Sequence, residues 1–232
     1  MLELKSITKL YSRRDGIRNV SINISHGQIV AFVGPNGSGK STLFNTIGQV
    51  QKADFGNCSM DGIELKDMNI SEVGFLPENS YLINEFTPLQ MLYFINTMKG
   101  IDASEEDISE LINRFSIHAF THKKIKALSQ GMRKRVSLAC AVLGNPKLLI
   151  LDEPLNYLDI DSVFAFKEIL KRHKERGCIV LLSGHILESI DAMADQVVFL
   201  KQGEIIKICS DINEPTEKLY REYFRDSSDF KK

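Results

Sequence analysis

Apolar residues along this chain follow two different rhythms, and each predicts a different kind of strand. Residues 2–10 and 20–24 (VSINI) place an apolar side chain at roughly every second position, the period of a strand with one covered face, so they predict a half-exposed antiparallel edge. Residues 28–33 (QIVAFV), 147–152 (KLLILD) and 178–183 (CIVLLS) are instead nearly continuous in apolar residues, as expected of parallel strands covered on both faces. Residues 73–76 add a further short strand. Two pairs of short runs, 56–60 with 63–65 and 196–200 with 204–208, flank the dipeptides Asp61-Gly62 and Gln202-Gly203, which suit tight hairpin turns.

Between residues 79 and 126 the texture becomes helical. Thr87 caps a helix with Pro88 in its first turn, and Ser104 caps another that opens with Glu105, Glu106 and Asp107 and runs to Phe115. A third helix follows LSQGM (128–132), with Met132, Val136, Ala139, Cys140 and Leu143 on one face and Gly144 and Pro146 as its stop. These segments predict a helical subdomain at about 79–145, inserted in a core that resumes at 147–152. The main domain spans 1–210 and a partly helical tail spans 211–232. In that tail Leu219, Tyr220, Tyr223 and Phe224 form a stripe expected to pack on the core, whereas residues 225–232 are polar and expected to fray.

With 232 residues the chain can bury a substantial core. A net charge of −1 and an isoelectric point near 6.5 argue against a strongly basic nucleic-acid-binding body. Cys58, Cys140, Cys178 and Cys209 are widely spaced, with no zinc-type cluster, and read as reduced cytosolic thiols. The opening residues lack the apolar core of a secretory signal, and no run approaches the ~18 apolar residues of a membrane span. A function at a membrane therefore calls for another polypeptide to supply the spanning helices.

The strongest chemical signal is GPNGSGKST, comprising Gly34, Pro35, Asn36, Gly37, Ser38, Gly39, Lys40, Ser41 and Thr42. It fits GxxxxGK[ST] and stands between a buried strand and a helix, the setting in which backbone N–H groups turn toward one phosphate anion. Lys40 then adds charge for the terminal phosphates, and the Ser41 hydroxyl is available to magnesium. The alternative, an ordinary glycine-rich turn, does not account for that combination.

A phosphate loop alone does not separate kinases from GTPases and motor ATPases. In LLILDEP, Asp152 emerges at the carboxyl end of a strand, where open parallel sheets bind ligands, and is placed to hold magnesium through its water shell. Glu153, next in the chain, is the candidate general base for an attacking water. His185, in SGH after the 178–183 strand, is expected at the same edge, within reach of the terminal phosphate. Ser129 and Gly131 lie at a helix N-terminus suited to an anion. Arg133, Lys134 and Arg135 read as a solvated face, while His26, His118, His122 and His173 read as surface or turn residues.

GPNGSGKST, LSQGM, LLILDEP, LNYLD (155–159) and SGH, in this order and spacing, resemble the ATP-binding-cassette (ABC) ATPases over roughly residues 1–210. The resemblance implies an α/β P-loop NTPase core with a mostly parallel central sheet, an antiparallel β subdomain and an inserted α-helical subdomain. It also implies ATP and Mg2+ as cofactors, Tyr11 stacked on adenine, and Glu78 near the metal. A head-to-tail dimer, of identical or different cassettes, would join Ser129 and Gly131 of one subunit to the phosphate loop of the other. Three positions depart from the family pattern: Glu78 in FLPE stands in place of glutamine, Gln130 and Met132 replace the commoner glycine and glutamine of the signature, and Tyr157 replaces glycine in the loop containing Asp159.

These features favour the ATP-hydrolysing subunit of a transporter, resembling bacterial export-type cassettes. It would lie peripherally on the cytoplasmic face of the membrane with a separate transmembrane permease, and with no nucleic acid as partner. An alternative is a non-transport ABC ATPase acting on a soluble macromolecular machine, although the tandem cassettes or long coiled-coil insertions of such relatives are absent. A small-molecule kinase would need neither LSQGM nor SGH.

Overall fold

The computed structural model describes residues 1–12, 15–79, 81–210 and 214–224. The expected fraying of 225–232 lies outside the described residues. Two sheets form. Strands β1 (Leu2–Leu10), β2 (Gly16–Ile24), β4 (Phe55–Met60) and β5 (Ile63–Glu64) make an antiparallel sheet in the order β2-β1-β4-β5. Strands β3 (Ile29–Val33), β6 (Val73–Leu76), β7 (Leu148–Leu151), β8 (Ile179–Ser183), β9 (Gln196–Lys201) and β10 (Glu204–Cys209) make the second, in the order β10-β9-β3-β8-β7-β6. It is parallel from β6 to β9, and only β10 runs antiparallel.

The continuous apolar strands are buried on both faces because each face of this sheet has its own cover. Alternate residues Ala31, Val33, Leu149, Leu151, Val180 and Leu182 point into a core shared with most of the helices. The intervening Val30, Phe32, Leu148, Ile150, Ile179 and Leu181 point into a second core, closed by α1 (Lys40–Ile47) and the antiparallel sheet. There Phe32 meets Phe44 edge-on, with ring centroids 5.4 Å apart and planes at 84°, a geometry that adds about 0.5–1.5 kcal/mol beyond simple burial.

Three helices lie between β6 and β7: α2 (Pro88–Met98), α3 (Glu105–Arg114) and α4 (Gln130–Val142). Thr87 and Ser104 close capping boxes with Gln90 and Asp107, which holds the starts of α2 and α3 where the sequence predicts them. Helix α5 (Ile160–Glu175), whose N-cap is Asp159, leads into β8; short α6 (Leu187–Asp191) follows β8. Helix α7 (Thr216–Phe224) packs on the core as its stripe predicts, with Tyr223 and Phe224 5.2 and 6.1 Å from the Phe199 ring. Both predicted hairpin turns form, with Asp61-Gly62 and Gln202-Gly203 all at positive φ.

Local pattern misjudged several positions. Strand β2 starts at Gly16, well before residue 20, because β1 continues to pair with it. His173 is a buried residue of α5, only 6% exposed, and burial together with nearby Arg176 pushes its pKa down to about 4. The basic run 133–135 is not a solvated face either: Lys134 is 5% exposed, and Arg135 lies over the Phe120 ring at 5.5 Å. Helix α4 is covered on several sides, so a run of adjacent charges there cannot share one fate.

Candidate functional site

The phosphate loop leaves the buried end of β3 and enters α1. Gly34 is needed for close approach, since a Cβ there would lie 2.2 Å from the Leu200 carbonyl oxygen. Gly37 and Gly39 sit at φ 78° and 105°, conformations that glycine adopts at little cost. No side chain caps α1, whose N-cap is Gly39. Its first-turn N–H groups and the positive end of its dipole therefore remain available to an anion.

Lys40 reaches back over the loop, with Nζ donating to the carbonyls of Gly34 at 2.7 Å and Pro35 at 3.2 Å. Burial lowers its pKa, while the negative charges of Glu153, Asp152 and Glu78 pull it back up. A cavity of about 320 Å³ opens over this loop. Its lining brings together Tyr11, Asn36, Gly37, Ser38, Gly39, Lys40, Ser41, Thr42, Glu78 and Glu153. Gly34 and exposed Pro35 form the strand-side edge of the loop. Tyr11 is 61% exposed at the cavity wall, and its hydroxyl donates to Gln51.

The acids stand where the strands end. Asp152 follows β7 and is 2% exposed, and its backbone N–H donates to the Leu76 carbonyl at 2.8 Å, which ties β7 to the end of β6. Glu78 is exposed in the loop after β6. Glu153 adopts φ 48°, a left-handed conformation uncommon for a residue with a side chain. His185, beyond β8, brings Nδ1 to 2.9 Å from Glu153 Oε2; the histidine side chain is 67% exposed and the glutamate 15%. Two residues 32 positions apart thus meet at the carboxyl edge of the sheet, where the sequence places each of them.

Ser183 is the residue that sequence reasoning missed. From the last position of β8 its hydroxyl donates to Asp152 Oδ1 at 2.5 Å and accepts the Glu153 N–H at 2.8 Å. One side chain therefore orients both acids. The available signal was a single polar residue ending an otherwise apolar strand directly before Gly184-His185.

The donor set fits a hard divalent cation. Asp152, Glu78 and the Ser41 hydroxyl all offer oxygen, and Ser183 occupies only one carboxylate oxygen of Asp152. Among the described residues no group of three or more His, Cys, Asp or Glu could hold a metal by itself. Oxygens of this kind are what magnesium uses when it takes one or two protein ligands and completes its shell with water and substrate phosphates.

Ser129 and Gly131 are not brought to this cavity. Ser129 is exposed and is the N-cap of α4, its Oγ accepting the Met132 N–H at 3.3 Å. Gly131 packs on the LNYLD loop, where an added Cβ would lie 2.7 Å from the Tyr157 carbonyl oxygen. Tyr157 itself is 66% exposed at φ 67°. Within one chain the signature residues and the phosphate loop remain separate.

The protein family described as "ABC transporter" matches residues 17–156. A lantibiotic transport ATP-binding protein, SrtF of Streptococcus pyogenes, is 32% identical over 206 residues, covering 89% of both chains. The SkfA peptide export ATP-binding protein SkfE of Bacillus subtilis is 31% identical over 216 residues, covering 89% of this chain and 88% of that protein. Among solved structures, the dimeric post-hydrolysis cassette MJ0796 bound to ADP and Pi superposes with a TM-score of 0.81 at 27% identity, covering 90% of this chain and 98% of that one. Among the described residues no helix is long and apolar enough to cross a membrane.

Proposed function

Because the chain belongs to the ABC transporter family and is an ATP-binding ATPase subunit, we propose that two copies close around ATP and power export through a separate membrane permease. The contact between Glu153 and His185, beside Lys40 at the mouth of the phosphate-loop cavity, is the observation that carries the reading. Export of a peptide is favoured by the two relatives, one named for lantibiotic transport and the other for peptide export. Work at the cytoplasmic face of the membrane follows from such a pairing.

In this reading Tyr11 stacks on adenine, and the amides of residues 34–42 together with Lys40 hold the phosphates. Ser41, Asp152 and Glu78 hold Mg2+, which shields phosphate charge and draws electron density from the bond that breaks. Glu153 takes the proton of the attacking water, and His185 both orients the Glu153 carboxylate and contacts the terminal phosphate. The second subunit supplies Ser129 and Gly131 to close the site. ATP then bridges the subunits, and hydrolysis removes the bridge, so nucleotide binding favours the closed arrangement and turnover releases it.

Glu153→Gln preserves the size of the side chain but removes the base. The variant should keep ATP binding within about twofold, lose at least ~100-fold in turnover, and accumulate as an ATP-dependent dimer detectable by light scattering. Turnover at the wild-type rate would remove Glu153 from this role. Co-purification of a polytopic membrane protein from detergent-solubilised membranes tests the permease partnership.

A further inference from the structure

Lys134, a residue only 5% exposed, carries an ammonium with neither a hydrogen bond nor an ion pair among the described residues, and it belongs to α4 rather than to the phosphate loop. Such a group is costly unless nearby charge compensates it. Helix α4 rests directly on β6, since a Cβ on Gly74 would lie 2.1 Å from the Ala141 carbonyl oxygen. Lys134 is seven residues before Ala141, on the same helical face and ~10 Å nearer the helix N-terminus. Because α4 leads back into β7, parallel to β6, it runs opposite to both strands. Glu78 is four residues beyond Gly74, or ~13 Å along an extended chain.

Lys134 is thus level with the carboxyl ends of β6 and β7, where Glu78, Asp152 and Glu153 stand. Their attraction opposes burial, which nonetheless lowers the lysine pKa to about 8, and the same three carboxylates attract Lys40 from the phosphate loop.

We propose that Lys134 is a positioning residue of the ATPase site, a cation on the signature helix that balances Glu78, Asp152 and Glu153 and sets how strongly they hold a divalent metal. The same three carboxylates thus attract two lysines on different elements. One rides on the nucleotide loop and the other on the helix whose N-terminus carries Ser129 and Gly131.

The inference rests on the assignment of Glu78 and Asp152 to the metal, and its test separates the two. Mn2+ binding is followed by electron paramagnetic resonance in the presence of a non-hydrolysable ATP analogue, and metal-free ATP binding is measured in EDTA. Lys134→Met keeps the volume and removes the charge. It should bind Mn2+ about tenfold more tightly and metal-free ATP several-fold more weakly, because the site becomes more negative by one charge. Lys134→Arg should stay near wild type in both. Lys134→Gln repeats the measurement if thermal melting shows the Met variant to be unfolded. A merely structural lysine would leave both affinities unchanged or weaken both, and either outcome overturns the inference. Failure of the wild-type protein to bind Mn2+ with nucleotide would instead overturn the metal assignment.

Discussion

Two helix N-termini in this molecule offer themselves to an anion, and they are built differently. At α1 the cap is a glycine without a side-chain hydrogen bond, the preceding loop curls through positive φ, and Lys40 closes over it. At α4 the Ser129 side chain already accepts one of the orphan N–H groups, and Gly131 is pressed against Tyr157 of the neighbouring loop. The first is a cradle whose glycines, lysine and serine all come from one stretch of one chain. The second offers fewer free N–H groups and lies apart from the phosphate loop of its own chain, so in the proposed dimer it would meet a phosphate held by the partner.

The sharpest way to break this comparison is to damage the α4 end alone. Gly131→Asp places a negative charge where the partner's phosphate would arrive and a Cβ that displaces the Tyr157 carbonyl, so turnover should fall at least ~100-fold while ATP binding to the single chain stays within about twofold. An equal loss of ATP affinity, measured by equilibrium dialysis, would mean that Gly131 serves its own chain's loop.

A second effect lies inside the core rather than at either end. His173 is kept neutral by burial, with its folded pKa at about 4 against an ordinary 6.5. The unfolded chain therefore binds the proton more readily, and the stability conferred is complete above pH 6.5 and lost as pH falls toward 4. The loss approaches ~3 kcal/mol at its limit. Thermal melting between pH 7 and pH 5 should show a decline that His173→Gln largely removes. This acid sensitivity is independent of nucleotide, so it distinguishes core loosening from damage at either helix end.

The smallest effect concerns the joint between the acids. Ser183→Ala leaves Asp152 and Glu153 in place but removes the hydroxyl that orients both. The bond to the Asp152 carboxylate is worth ~1.5–3 kcal/mol, of which only the part that positions the acids bears on turnover. Turnover should drop several-fold in steady-state assays, with ATP binding little changed. Unchanged turnover would show that the strand ends alone position the acids.

The cradle was legible in the sequence because its chemistry is local: glycines, lysine and serine lie within nine consecutive positions between a strand and a helix. The placement of Glu153 and His185 at one sheet edge was legible one step further on, because continuous apolar runs imply parallel strands whose carboxyl ends share an edge; their contact was not. Ser183, Lys134 and His173 were not legible as buried polar residues. Their surroundings are made by segments distant in sequence, with β7 beside β8, α4 on β6, and α5 closing one face of the sheet. Period and composition report which side of an element is apolar, but not how many of its sides become covered. The stripe of α7 was read correctly because its aromatic residues have one obvious place to go, the Phe199 side of the core.

The central claim is that the α4 end of one subunit completes the phosphate loop of another, and complementation of two inactive proteins tests it most directly. Lys40→Ala retains a sound signature but loses its own nucleotide grip, whereas Gly131→Asp retains the phosphate loop but spoils the signature. Each alone should show negligible ATP hydrolysis. Mixed in equal amounts, they should recover a readily measurable fraction of wild-type turnover, because the mixed dimer contains one site made entirely of intact parts. No recovery, with ATP still bound by the Gly131→Asp chain and mixed dimers detected, would contradict the composite site.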